Sequence, residues 1–229
     1  MELKPYGDGR LQVRIFQDPL IDERTYLIVT GQEAIAVDPH VDEALLPYLE
    51  GIRTLRVYLT HEHYDHICGV NWLRAHRECL VYASAACAES IQKCPNSTVH
   101  YPLLFLGDRQ KYDFVKKNLK LPYICHADVP LGDAGDQTLA AGSWRFWKTE
   151  GHSPGGMSFL LDGKYLFSGD SLLGNGMELK SIGADGEQLR RTLASYAQLG
   201  GDTLVFPGHG EVNTLRFYFS KAGRYFTWI

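Results

Sequence analysis

Apolar and polar residues alternate at short spacing through the first part of the chain, the pattern of half-buried strands. The period of two runs over residues 11–16, predicting an edge strand. Two β-branched runs at 26–30 and 34–37 flank Gly31-Gln32, predicting a hairpin. The second run ends in Asp38-Pro39-His40. Residues 41–50 then take a helical period with Asp42 and Glu43 in the first turn. A further strand is expected at 54–60, a helix at 70–76 and a short strand at 79–82. Ser84 is placed to cap a helix running to about residue 92.

The rhythm changes between about 95 and 130. Residues 103–120 space their apolar side chains for one or two amphipathic helices with a lysine-rich face at Lys111, Lys116, Lys117 and Lys120. This helical insertion is either a packed surface element or a lid over a functional site, with Tyr112 and Phe114 as candidate substrate contacts. The second half returns to strands at 137–140, 144–149, 157–161 and 165–168, with Asp162-Gly163 as a tight turn. A helix over 188–199 ended by Gly200-Gly201, a buried strand at 203–206 and a closing helix at 215–220 complete the prediction. Repeats and linker-like tracts are absent, so residues 1–229 read as one domain.

Composition narrows the class. The 229 residues are 45% hydrophobic and 22% charged, as in a soluble globular protein. A net charge of −4 with no basic run gives no footprint for nucleic acid. The first ten residues have no apolar run of a leader, and no stretch is long enough to span a bilayer. The five cysteines (Cys68, Cys79, Cys87, Cys94 and Cys125) form no C-x-x-C pair and read as free thiols in a reducing compartment. A cytoplasmic protein is expected, with its oligomeric state open.

The candidate chemistry sits at the end of the strand predicted at 54–60. His61, His63, Asp65 and His66 place four potential ligands within six residues. His61 and His63 project to one side of an extended segment, while Asp65 and His66 follow where the chain turns. Imidazole and carboxylate together suit zinc, iron or manganese. Three more candidates lie just past apolar strands in glycine-rich turns: His152 in Gly151-His152-Ser153-Pro154-Gly155-Gly156, Asp170 after Gly169, and His209 in Pro207-Gly208-His209-Gly210. Glycine lets such turns bend sharply toward a shared centre.

This set, in this order, resembles the metallo-β-lactamase superfamily and, within it, the glyoxalase II-like hydrolases. The resemblance implies a four-layer αββα sandwich with the metals at one edge. It also implies that His61, His63 and His152 hold one divalent ion, that Asp65, His66 and His209 hold a second, and that Asp170 bridges them. Asp38 would orient a ligand histidine from behind. Two such ions, zinc by preference and iron or manganese otherwise, would clamp a bridging water, lower its pKa and polarise a carbonyl. Asp65 would then take or relay the proton. The implied activity is hydrolysis of a small thioester or ester.

Three departures touch the substrate. The chain runs only briefly beyond His209, so the helical domain that binds glutathione in glyoxalase II is expected to be missing. His40 stands where glycine is commonest after Asp-Pro, and could reach the cleft. Residues 172–185 lack a Gly-Arg feature. His76, His100 and His126 read as surface or hydrogen-bonded residues. The alternatives are a mononuclear iron persulfide dioxygenase of the same fold, a lactonase or β-lactamase, and a metal-binding regulator.

Overall fold

The computed structural model of the protein describes residues 1–7, 11–20, 22–93, 102, 107–119, 121–173 and 183–222. The first sheet is built from β1 (Glu2–Gly7), β2 (Gln12–Gln17), β3 (Arg24–Thr30), β4 (Glu33–Val37), β5 (Thr54–Tyr58), β6 (Leu80–Ser84) and β7 (Val129–Leu131), side by side in that order. Pairing is antiparallel from β1 to β4 and parallel from β4 to β7. The second sheet contains β8 (Ala134–Leu139), β9 (Gly142–Lys148), β10 (Met157–Leu161), β11 (Tyr165–Gly169), β12 (Leu204–Pro207) and β13 (Asn213–Thr214). Its spatial order is the reverse of its sequence order, and its one parallel pair among these strands is β11 with β12.

Strand periodicity explains the layering. In β4, Ile35 and Val37 point between the sheets while Ala34 and Ala36 point outward, where their small size lets helices approach. In β10, Phe159 and Leu161 face inward and Leu160 outward, so the strand is buried on both faces and reads as an unbroken apolar run. The inner core is aromatic: Trp144 lies 4.9 Å from Tyr58 and 5.5 Å from Phe159 between ring centroids. Truncating the fully buried Trp144 to alanine would cost about 3–5 kcal/mol.

Outside the first sheet pack a 3-10 helix (Glu43–Leu49) and the helices α1 (Tyr64–Ile67), α2 (Val70–His76) and α3 (Ala85–Gln92). Against the second sheet pack α5 (Gly186–Tyr196) and α6 (Leu215–Ala222) through Leu189, Leu193, Leu215 and Tyr218. The layers therefore run α, β, β, α, as the resemblance implies. Helix α4 (Arg109–Asn118) buries Val115 beside Tyr64, within the stretch expected to carry an insertion. Most of that stretch before α4, including residues 103–106, lies outside the described residues. No described helix is long and apolar enough to cross a membrane. Cys68, Cys79, Cys87 and Cys125 carry free thiols; Cys94 lies outside the described residues.

Several expectations need correction. The strand expected at the edge over 11–16 is interior, because β1 pairs along it. The helix expected at 41–50 is a 3-10 helix over Glu43–Leu49 with Pro47 inside it. The helix expected at 188–199 starts earlier, where Asp185 caps the amides of Glu187 and Gln188, and it ends at Tyr196, ahead of Gly200-Gly201.

Candidate metal centre

One edge of the sandwich gathers the C-terminal ends of β4, β5, β9, β11 and β12, and each delivers a polar side chain through a turn. The loop after β5 carries His61 and His63, and α1 follows at once with Asp65 and His66. The turn after β9 carries His152, Asp170 follows β11, and His209 follows β12. The structure brings all seven together in two groups. One atom from each of His61, His63, His152 and Asp170 lies within 4.8 Å of the others, and Asp65, His66 and His209 form a second group by the same measure.

Asp170 touches both groups. Its Oδ2 is 3.5 Å from His152 Nε2 and 3.6 Å from His209 Nε2, and its Oδ1 is 3.4 Å from His66 Nε2. Asp65 Oδ2 lies 3.2 Å from His209 Nε2 and 3.8 Å from His66 Nε2. His63 presents Nδ1, 3.0 Å from His152 Nε2.

Behind the groups, one carboxylate aims two imidazoles. Asp38 Oδ2 accepts from His66 Nδ1 at 2.8 Å, and Asp38 also accepts from the Thr60 amide and hydroxyl. The single Thr60 proton goes to Asp38, so the 3.0 Å contact between Thr60 Oγ1 and His61 Nδ1 needs the proton on that nitrogen. Both rings thus aim Nε2 at the centre, as metal-site histidines require. His61 Nε2, His66 Nε2 and Asp170 Oδ1 are buried with no hydrogen-bond partner among the described residues. Leaving such atoms unmet is costly, and a cation coordinated by nitrogen and oxygen would satisfy all three. The residues fit a pair of divalent ions.

The electrostatics separate the two groups. Burial, with help from neighbouring imidazoles, pushes the His61 pKa well down, and burial lowers that of His152 to about 4. Burial would also lower His66 and His209, but Asp170 and Asp65 outweigh it, raising His66 and taking His209 to about 9. Burial would raise Asp65, yet His66 and His209 hold it at about 2; His209 and His66 likewise hold Asp170 well below the usual range.

Sequence reasoning gave no role to Glu62. Alternation turns it away from the two histidines that flank it, and it accepts from Ser153 Oγ and the Gly155 amide, both at 3.1 Å. It thereby fixes the turn that carries His152. His40, expected to reach the cleft, is instead 2% exposed beneath the Asp38 turn. Its Nδ1 lies 2.7 Å from Thr25 Oγ1 and 2.9 Å from the fully buried Glu23. Tyr112 packs in the cluster around Tyr64 and Val115, while Phe114 is exposed.

An αββα sandwich with a histidine–aspartate centre at one sheet edge defines a class of metal-centred folds. A profile of the family described as "Metallo-beta-lactamase superfamily" matches residues 22–209, and the chain belongs to that superfamily. Over 190 residues it is 26% identical to a "Hydroxyacylglutathione hydrolase" of Tolumonas auensis, covering 82% of this chain and 61% of that protein. Over 203 residues it is 30% identical to one of Methylococcus capsulatus, covering 86% and 66%. The chain thus spans about three-fifths to two-thirds of the length of these relatives. The solved structure "TTHA1623 in a di-iron-bound form" superposes with a TM-score of 0.68 at 25% identity, over 99% of this chain and 100% of that one.

Proposed function

We propose that the protein is a binuclear metal-dependent hydrolase that cleaves a small thioester or ester. The observation that carries this reading is the position of Asp170, whose two oxygens reach histidines of both ligand groups. His61, His63 and His152 would hold one ion and Asp65, His66 and His209 the other, with Asp170 shared. When bound, the ions, zinc by preference, supply Lewis-acid chemistry: they acidify water and polarise a carbonyl. A di-iron form of a protein similar over its whole length supports room for two ions.

The chain's own groups supply the rest. Asp65, a carboxylate at neutral pH, would take or relay a proton from a water in the centre. Asp38 and Thr60 keep His61 and His66 from rotating, and Glu62 holds the turn bearing His152. The thioester preference is drawn from the named activity of the relatives. Residues 1–229 are read as one cytoplasmic domain acting on a small molecule, with the region of α4 as an elaboration near the site.

The test joins metal analysis to turnover. Purified protein should hold about two divalent ions per chain and cleave a hydroxyacyl-glutathione thioester or a simple ester. Asp170→Ala should deplete both ions and abolish turnover, because a shared carboxylate screens two cations. One iron per chain with oxygen consumed on a persulfide, or full metal content and activity in Asp170→Ala, would overturn the reading.

A further inference from the structure

We propose that Glu23 and His40 form a positioning pair behind the metal centre, holding the Asp38–Pro39–His40 turn so that Asp38 keeps His61 and His66 aimed inward. The inference rests on the reading that the two histidine–aspartate groups hold metal ions, and goes beyond it to the layer that supports Asp38.

The first reason is the cost of Glu23. Its side chain is fully buried, and neither carboxyl oxygen has a hydrogen-bond partner among the described residues. Among the described residues it has a close contact with His40 Nδ1, 2.9 Å from Oε2. Burying a carboxyl on so little support is unfavourable, and an apolar residue of the same size would be cheaper. Such a local violation is expected where a site depends on it.

The second reason is the way the contacts converge. Thr25 Oγ1 donates to Asp38 O at 2.9 Å and accepts from the His40 amide at 2.8 Å. With its single proton spent on Asp38 O, the 2.7 Å contact to His40 Nδ1 requires that nitrogen to donate. Glu23 Oε2 stands 2.9 Å from the same nitrogen, so the Nδ1 edge of the ring faces both groups. Both ends of the turn are therefore tied to β3, at Asp38 O and at the His40 ring and amide.

The turn needs that support. Asp38 has φ +48°, a left-handed conformation that is uncommon outside glycine, although aspartate tolerates it better than most residues. From the other side, the Gly69 amide donates to Pro39 O at 2.8 Å, and a Cβ at position 69 would stand 2.3 Å from that oxygen. Glu23 also forms a backbone bridge with His209, next to the Arg24 amide donating to Gly208 O at 2.9 Å. One residue thus braces both the Asp38 turn and the strand end that delivers His209. His40 itself is 2% exposed.

The experiment reads metal binding, not turnover, so it stands apart from the choice of substrate. Cobalt(II) affinity, by competition with a chelator, and the ligand-field spectrum of the cobalt protein are compared across variants. His40→Leu and Glu23→Leu should each weaken cobalt binding about 10- to 100-fold and change the spectrum. His40→Asn, which offers an amide N–H near the place of Nδ1, should recover most of the affinity. In an Asp38→Asn background, His40→Leu should add nothing, because it acts through Asp38. Equal losses in both backgrounds, or wild-type affinity in His40→Leu, would overturn the proposal. Should His40→Leu fail to fold by circular dichroism, His40→Asn against Glu23→Leu carries the comparison: equal losses in those two would also overturn it. A wild-type protein that binds no cobalt would sink the metal reading along with it.

Discussion

Asp38 and Thr60 are joined twice: the Thr60 amide donates to Oδ1 at 2.7 Å and its hydroxyl to Oδ2 at 2.6 Å. The hydroxyl is also the one group that links Asp38 to His61, whereas His66 bonds to Asp38 directly. Thr60→Val keeps the shape and removes the link. His61 Nδ1–H then has no acceptor, and its ring is free to turn. Metal affinity should fall about 10- to 100-fold, mainly for the ion that His61, His63 and His152 are proposed to hold. A two-step metal titration measures it, and an unchanged first step would show that the link to His61 is unimportant.

The charge split between the two groups predicts a pH dependence in the metal-free protein. Asp170 and Asp65, against the effect of burial, raise His209 from 6.5 to about 9. A raised imidazole stabilises the fold fully below its unfolded pKa, and that contribution is lost as pH climbs through the folded value. Metal-free stability should therefore decline between about pH 6.5 and 9. His152, lowered to about 4, acts only below that window. Metal must displace the same protons, so affinity should rise over the range in which apo stability falls. Urea midpoints at several pH values test this; a flat or rising profile in metal-free protein, or no change of slope in His209→Gln, would contradict it.

What the sequence disclosed followed from how local each signal is. His61, His63, Asp65 and His66 lie in one short stretch, and His152, Asp170 and His209 each follow an apolar run inside a glycine turn, so spacing alone marks them. The individual strands were legible for the same reason, since β3, β4, β10 and β11 carry their burial in a period of two or in unbroken apolar runs, while their layering into a sandwich was implied by the family resemblance. β1 was not, because Lys4 and Pro5 break its pattern in the way edge strands often do. β7 and β13 are too short to carry a period. Glu23, Thr25 and His40 meet only through the pairing of β3 with β4, and nothing in the sequence marks that contact.

Gly208 shows how little room the centre leaves. A Cβ there would stand 2.1 Å from Asp170 Oδ1 and 2.5 Å from His66 Cε1. Gly208→Ala should displace the Asp170 carboxylate and the His66 ring while the strands beneath remain paired. The expected result is loss of about one metal ion or more per chain with near-wild-type circular dichroism, as steric changes at a metal-ligand turn act locally. Full metal occupancy in this variant would mean that the turn moves aside without consequence.

Helix α4 supplies the last prediction. Val115 is fully buried and Tyr112 packs with it in the cluster around Tyr64, the residue between His63 and Asp65. Lys111 Nζ adds a hydrogen bond to Leu20 O at 2.9 Å. Phe114, by contrast, is 52% exposed on the same helix. Tyr112→Ala should therefore lower stability by about 1–3 kcal/mol through lost apolar burial. Phe114→Ala should leave stability within about 0.5 kcal/mol. A small-molecule site needs apolar walls around a few polar groups, and the turns that carry the ligands offer mainly glycine, proline and serine. If α4 is that wall, Phe114→Ala raises KM for a bulky thioester, spares a generic small ester and keeps its metal. Turnover of both substrates as in the wild type would reduce α4 to a packed surface helix.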